Sequence, residues 1–169
     1  MSPSNALWAG RTSDGFLVRI EGQGTLRESP ALRAFALQAL EQDAGNLVID
    51  LSRCEYLDST LLGCLVLLHK RYGIGSPPRF CIAAPEPLIH RLLGPNRLDT
   101  LLQSIEQAPG FVGEAVLLSS PAIEANDLGQ HVMECHRLLA ELGGPRQEAF
   151  ARIADHLARE LATPRPSPR

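Results

Sequence analysis

The feature that most constrains the fold of this chain is a short apolar run, Leu47 to Leu51, which follows the turn-forming pair Gly45-Asn46. Five residues bounded by turn formers are typical of a strand and too few for a buried helix. Because the run is apolar at successive positions, it suits a strand that is buried on both faces of a sheet with helical cover. It therefore predicts a layered α/β domain.

Two similar runs, Phe16 to Ile20 and Phe80 to Ala84, predict further strands, and a weaker one is expected near Ala6 to Trp8. Apolar residues recur at helical spacing in three segments, which begin at Ser29-Pro30, Ser59 and Pro87. In the first of these, Ser29 is the predicted N-cap. Strands that alternate with helices predict an α/β domain with right-handed crossovers wherever the strands are parallel.

The last third of the chain has a different pattern. Phe111 to Leu118 is apolar and predicts an extended segment. Two helical patterns follow, with apolar positions at Leu128, Val132, Cys135, Leu139 and Leu142, and then at Phe150, Ile153, Leu157 and Leu161. Because only a short Gly-Gly-Pro turn separates them, they predict an antiparallel helical hairpin. Residues 163–169 alternate proline with serine and arginine, and we expect this tail to be disordered.

Composition and charge exclude several classes of protein. The chain has 169 residues, 44% of them hydrophobic and 21% charged, as in ordinary globular proteins, and its net charge of −3 disfavours nucleic-acid binding. It contains neither an apolar run of roughly 18 residues nor a signal-peptide pattern, so we expect a cytoplasmic protein without membrane contact. The four cysteines are scattered, which favours buried reduced thiols and predicts no metal or cofactor: Cys54, Cys64, Cys81 and Cys135.

The residues with the clearest chemical potential are Asp58, Ser59 and Thr60, at the start of the second helix. Free backbone N–H groups and the helix dipole favour a negative group at this position. A phosphate on Ser59 would be stabilised by the helix end and would add roughly two negative charges beside Asp58. The alternative is that Asp58 or Ser59 only caps the helix, as such residues do at most helix starts.

Together with the strand before it, this stretch resembles the STAS family, in particular the bacterial anti-sigma factor antagonists. In that family a buried strand precedes Asp-Ser-(Ser/Thr)-Gly-Leu-Gly at the start of a helix. The matching residues are Asp58, Ser59, Thr60, Leu62 and Gly63, and Leu61 replaces the usual first glycine. The resemblance covers about residues 5–110 and implies a STAS-like mixed sheet of about four to five strands with helices. Residues 111–162 would then form an extension, followed by the disordered tail.

The resemblance implies a non-enzymatic protein-binding module. An anti-sigma factor antagonist binds an anti-sigma factor while its serine is unphosphorylated and loses that affinity after phosphorylation. The implied partners are the anti-sigma factor, which is also the serine kinase, and a PP2C-type phosphatase. The implied phosphorylation site is Ser59, with Thr60 as the alternative. The surface expected to bind the anti-sigma factor, here called the partner surface, consists of Gly22, Gly24, Thr25, Asp58, Ser59, Thr60, Leu61 and Leu62. The segment from Gly22 to Thr25 lacks a carboxylate that is usual in the family.

Two alternatives belong to other functional classes. The first is a STAS scaffold protein in a bacterial signalling complex, in which Ser59 is never modified. The second is a metal-dependent or small-molecule enzyme that uses the C-terminal helices, where His131 and Cys135 lie one helical turn apart, followed by His136. No second pair of ligands lies nearby in the sequence, and Cys135 falls on the apolar helix face, which disfavours a metal site. His69 and His90 are interpreted as solvated.

Overall fold

The computed structural model describes residues 4–42, 45–119 and 123–164, which form a mixed six-stranded sheet with helices. The strands are β1 (Ala6–Arg11), β2 (Gly15–Gly24), β3 (Asn46–Leu57), β4 (Phe80–Ala83), β5 (Ser104–Ile105) and β6 (Val112–Leu117). Their order in the sheet is β5-β4-β3-β2-β1-β6. Strands β2 to β5 are parallel, whereas β1 is antiparallel to both of its neighbours. The predicted mixed sheet is confirmed, with six strands where four to five were expected.

Five α-helices accompany the sheet in the described part of the chain. They are α1 (Ser29–Gln42), α2 (Ser59–Leu68), α3 (Glu86–Leu93), α4 (Ala125–Glu141) and α5 (Gln147–Ala162). A π-helical turn, His69–Gly73, continues α2, and a 3₁₀ turn, Gly94–Asn96, continues α3. The first three helices connect successive parallel strands, so the predicted alternation of strands and helices is confirmed. None of the described helices is long and apolar enough to cross a membrane.

Strand β3 lies inside the sheet between β2 and β4, and its apolar run from Leu47 to Leu51 is buried on both faces, as predicted. Leu47, Ile49 and Leu51 are fully buried in the main core, which the helices cover. Val48 belongs to a smaller cluster, which the side chain of Phe111 helps to cover. Helical cover on one face and a connecting segment on the other therefore remove the first half of β3 from water.

The predicted helical hairpin is confirmed as α4 and α5, and α4 packs on α2. Cys135 and Leu139 of α4 and Phe150 of α5 belong to the main core. The extended segment predicted from Phe111 to Leu118 contains β6, which pairs with β1 in the same sheet. The hairpin thus follows β6, the outermost strand on one side of the sheet, and packs against α2.

Two predictions about individual side chains are wrong. Ser29 is the first residue of α1 and is fully buried, and its hydroxyl bonds to His131 instead of capping the helix. His69 is buried, not solvated, because it lies in the π-helical turn against Gly73, and burial lowers the pKa of its imidazole. His90 is exposed, as expected. Residues 165–169 of the predicted disordered tail lie outside the described residues.

Candidate functional site

Asp58 caps α2 and also ties the start of this helix to the loop before α1. Its Oδ1 accepts a hydrogen bond from the Leu61 N–H at 2.9 Å, and its Oδ2 accepts one from the Leu26 N–H at 2.8 Å. Its extended backbone is that of an N-cap residue. Of the two capping candidates in the sequence, Asp58 therefore performs this role, and the Ser59 hydroxyl takes another hydrogen-bond partner.

The structure brings the two halves of the partner surface together at the ends of β2 and β3. The Asp58 N–H donates to the Gly24 carbonyl at 2.9 Å, and Gly24 pairs with Leu57 in the parallel ladder. Thr25, Asp58 and Ser59 are half-buried. The other five residues of the partner surface are buried: Gly22, Gly24, Thr60, Leu61 and Leu62. In this conformation the accessible part of the surface is therefore small.

The hydroxyl of Ser59 bonds to His136, a residue of α4 that was not assigned to the partner surface. Ser59 Oγ lies 2.8 Å from His136 Nε2, and His136 Nδ1 lies 2.8 Å from the Val132 carbonyl oxygen. Because a carbonyl only accepts, Nδ1 carries the proton of the neutral ring. The His136 Nε2 atom then accepts the Ser59 O–H. A helical face in the sequence identified α4, but it did not indicate which helix α4 would contact.

His131, the histidine of the metal hypothesis, is buried in a different hydrogen-bond arrangement. Its Nε2 lies 2.6 Å from Ser29 Oγ, and its Nδ1 lies 3.1 Å from Arg33 Nη1. Because a guanidinium only donates, Nδ1 accepts and Nε2–H donates to Ser29. Burial, and then the Arg33 charge, lower the pKa of His131 to about 4. The ring is therefore neutral at neutral pH.

Cys135, the other residue of the metal hypothesis, lies against the ring of His131. Its Sγ is 3.7 Å from Nε2 and 3.9 Å from Nδ1, but Ser29 and Arg33 already bond to these nitrogens. Burial raises the pKa of the Cys135 thiol well above its usual range, and burial raises that of Cys64 to about 11. Among the residues that the structure describes, no cluster of three or more His, Cys, Asp or Glu is arranged to hold a metal ion.

Comparison with known proteins identifies the part of the chain that contains this site. Residues 9–103 match the family model described as "Mlab, STAS domain". The matched part of the chain therefore ends before β5, β6 and the hairpin. The chain is also similar to the crystal structure of an anti-sigma factor antagonist from Mycobacterium paratuberculosis, with 24% identity and a TM-score of 0.51. That similarity covers 63% of this chain and 92% of the other, and at this identity it shows a shared fold. No curated protein matches the chain.

Proposed function

Because this chain belongs to the STAS domain family, we propose that it is a cytoplasmic, non-enzymatic anti-sigma factor antagonist that is switched by phosphorylation of Ser59. The observation that carries the proposal is the position of Ser59. It is the first residue of α2, it follows the cap Asp58 directly, and it lies beside the end of β2. The likeness in fold to a solved anti-sigma factor antagonist supports the same role.

Burial and the helix end favour Ser59 over Thr60 as the modified residue. Thr60 is only 2% exposed, whereas Ser59 is half-buried. The backbone N–H groups of the first helical turn point out of the helix end, and the Asp58 cap occupies only that of Leu61. A phosphate on Ser59 would therefore gain favourable interactions with the positive end of α2.

The proposed switch acts through charge at the contact with the anti-sigma factor. Phosphate adds about two negative charges and three acceptor oxygens next to the Asp58 carboxylate. In a packed contact, this added charge must be desolvated and repels acidic groups, so affinity falls without unfolding of the domain. In this scheme the anti-sigma factor is also the serine kinase, and a PP2C-type phosphatase restores the bare hydroxyl.

Intact-protein mass spectrometry of the protein from its native cells tests the modification. We expect one phosphate on the wild type and on a Thr60→Val variant, and none on Ser59→Ala. Thr60→Val is the matched control because it keeps the branched shape of this buried side chain and replaces its hydroxyl with a methyl group, which cannot be phosphorylated. Phosphate that persists on Ser59→Ala and maps to Thr60 would move the site by one residue.

Titration calorimetry with the anti-sigma factor tests the switch. Ser59→Asp adds a charge, and Ser59→Asn is its uncharged control of similar shape. We expect the Asp variant to bind more weakly than the Asn variant but more tightly than phosphorylated protein. Added salt should partly restore binding of the Asp variant, because exposed charges are screened over about 10 Å at 0.1 M. Equal affinities of the Asp variant, the Asn variant and the phosphorylated protein for the anti-sigma factor would contradict the switch.

One observation favours a second candidate, a STAS scaffold in which Ser59 is never modified. The Ser59 hydroxyl is held by His136 of α4, so its oxygen faces another part of the same chain. A scaffold would bind its partner irrespective of the charge at Ser59. Protein from native cells that binds the partner but lacks phosphate under every growth condition would support the scaffold and contradict the switch.

A further inference from the structure

We infer that the α4–α5 hairpin is an intramolecular cover, which must move away from α2 before another protein can reach Ser59. The hairpin lies after residue 103, where the match to the STAS family model ends. It is therefore an addition to the family domain, and it packs against the helix that carries the proposed switch. That the cover controls access to Ser59 for a kinase rests on the proposed function. The opening of the cover can be measured independently of that function.

The contact between Ser59 and His136 places the cover directly on the switch. A kinase must bring a phosphorus atom into line with Ser59 Oγ, but His136 Nε2 is only 2.8 Å from that oxygen. His136 is itself buried, with its ring edge against Phe150 of α5. A phosphoryl group on Ser59 would occupy the space that the imidazole now fills. In this rotamer of Ser59, docking of His136 therefore hinders modification of the hydroxyl.

A second contact brings the backbones of α2 and α4 together at Gly63. A Cβ atom added at Gly63 would lie 2.4 Å from the Cys135 carbonyl oxygen and 2.6 Å from the Cys135 Cα. These are backbone atoms of a helix, which cannot give way as the end of a flexible side chain can. Any side chain at position 63 must therefore push α4 away from α2, so that a substitution here acts as a wedge.

The contact between the hairpin and the domain combines apolar packing of Cys135, Leu139 and Phe150 with several polar pairs. Arg33 Nη1 donates to Glu134 at 2.8 Å, Lys70 Nζ donates to Glu141 at 2.8 Å, and His131 bonds to Ser29. Water can replace the exposed Lys70–Glu141 pair at small net cost, whereas separation of the buried His131–Ser29 pair and of the apolar packing costs more. Interfaces between domains that move relative to each other have this mixed character. Opening of the hairpin must therefore expose the apolar part of this contact to water.

Two native cysteines report this opening. Cys64 of α2 and Cys135 of α4 are both fully buried, and Cys135 lies where the two helices meet. Cys54 of β3 is also buried, but it bonds to the Tyr56 carbonyl within its own strand and serves as the internal control. Alkylation by iodoacetamide under native conditions, mapped by mass spectrometry, gives a rate for each thiol.

The wedge variant Gly63→Val is compared with the wild type and with Arg152→Ala, an exposed change on α5. We expect Cys64 and Cys135 to react at least about tenfold faster in Gly63→Val, which corresponds to about 1.4 kcal/mol. The Cys54 rate should be unchanged, and Arg152→Ala should behave as the wild type. If the wedge variant fails to fold, His136→Ala, which only removes atoms, gives the same readout. Equal acceleration of Cys54 and Cys135 would overturn the inference, because the hairpin would then open only with the whole domain.

Phosphorylation in native cells separates the cover from the proposed function. We expect a larger phosphorylated fraction of Ser59 in Gly63→Val than in the wild type. Equal phosphorylated fractions in the two proteins, combined with faster alkylation of Cys135 in Gly63→Val, would mean that the hairpin opens but does not control phosphorylation. This result would overturn the inference and leave the proposed switch intact. If neither form carries phosphate while Cys135 reacts faster, the proposed switch fails and the opening of the hairpin stands.

Discussion

The Ser29 hydroxyl oxygen lies 2.6 Å from Nε2 of His131, although 102 positions separate the two residues. Both side chains are buried, and their hydrogen bond joins the start of α1 to α4. Arg33 donates to the other nitrogen of the ring, so a second proton on His131 has no acceptor and faces a positive charge. The histidine therefore holds the hairpin in place only while it is neutral.

We predict that docking of the hairpin weakens as the pH falls from about 6.5 to about 4. His131 has a pKa of about 4 in the folded protein and an ordinary value of 6.5. As the pH falls, His131 therefore takes up a proton in the undocked state before it does so in the docked state. The stability of the docked state is lost as pH falls through this range. Besides Arg33, the groups that face the ring are Glu134, which favours its charged form, and the neutral Cys135 thiol. The loss reaches about 3 kcal/mol at pH 4, at about 1.4 kcal/mol per pKa unit.

Urea denaturation and Cys135 alkylation between pH 4 and pH 7.5 measure this dependence. His131→Gln keeps a polar side chain toward Ser29 but does not titrate, so its curve should be flatter than that of the wild type. His156→Gln is the control, because His156 is an exposed residue of α5 whose side chain pairs with Glu160 in the next turn. An unchanged pH dependence in His131→Gln would show that other groups are responsible.

The sequence predicted elements well where the signal is local. Turn formers around short apolar runs located β2, β3 and β4, and Asp58 and Ser59 marked the start of α2, whereas the two-residue strand β5 was not predicted. The hydrogen bonds of Ser29 and Ser59 with α4 were missed, because helical periodicity identifies a buried face but not the helix that covers it. For the same reason, the apolar run of β6 predicted an extended segment but not its pairing with β1.

Truncation of the core beneath the site should destabilise the whole domain. Ile49 of β3 and Leu65 and Leu68 of α2 are fully buried. We expect each change to Ala to lower the free energy of unfolding by roughly 2–5 kcal/mol, because a cavity adds to the lost burial. The control is Ile74→Ala, at a side chain that is 73% exposed, and its effect should stay within about 0.5 kcal/mol. Urea midpoints unchanged for all three buried positions would contradict the proposed core.

The two carboxylate oxygens of Asp58 have different partners, which predicts a graded series of variants. Asp58→Ala removes both hydrogen bonds, to the Leu61 and Leu26 N–H groups, and should cost about 2 kcal/mol. Asp58→Asn keeps one acceptor for the cap and should cost about half as much. Asp155→Ala, at an exposed position of α5, is the control. Urea denaturation measures all three, and an Asn variant as unstable as the Ala variant would show that the charge, not the cap geometry, matters.

Leu61 departs from the glycine usual in the family, and the structure shows how its side chain is accommodated. Leu61 is fully buried, and a Cβ atom at Gly24 would lie 3.1 and 3.2 Å from its two δ-carbons and 2.8 Å from Leu57 Cδ2. The bare backbone of Gly24 thus leaves room for the larger residue at position 61. We predict that the two positions are energetically coupled.

A double-mutant cycle measures this coupling by urea denaturation. Leu61→Ala should cost roughly 2–5 kcal/mol through a cavity, and Gly24→Ala about 1–3 kcal/mol through crowding. In the Leu61→Ala background, two of the three contacts that crowd an alanine at position 24 are gone. The second substitution should then cost about 1 kcal/mol less than it does alone. Additivity within about 0.5 kcal/mol would mean that Leu57, not Leu61, determines the need for glycine at position 24.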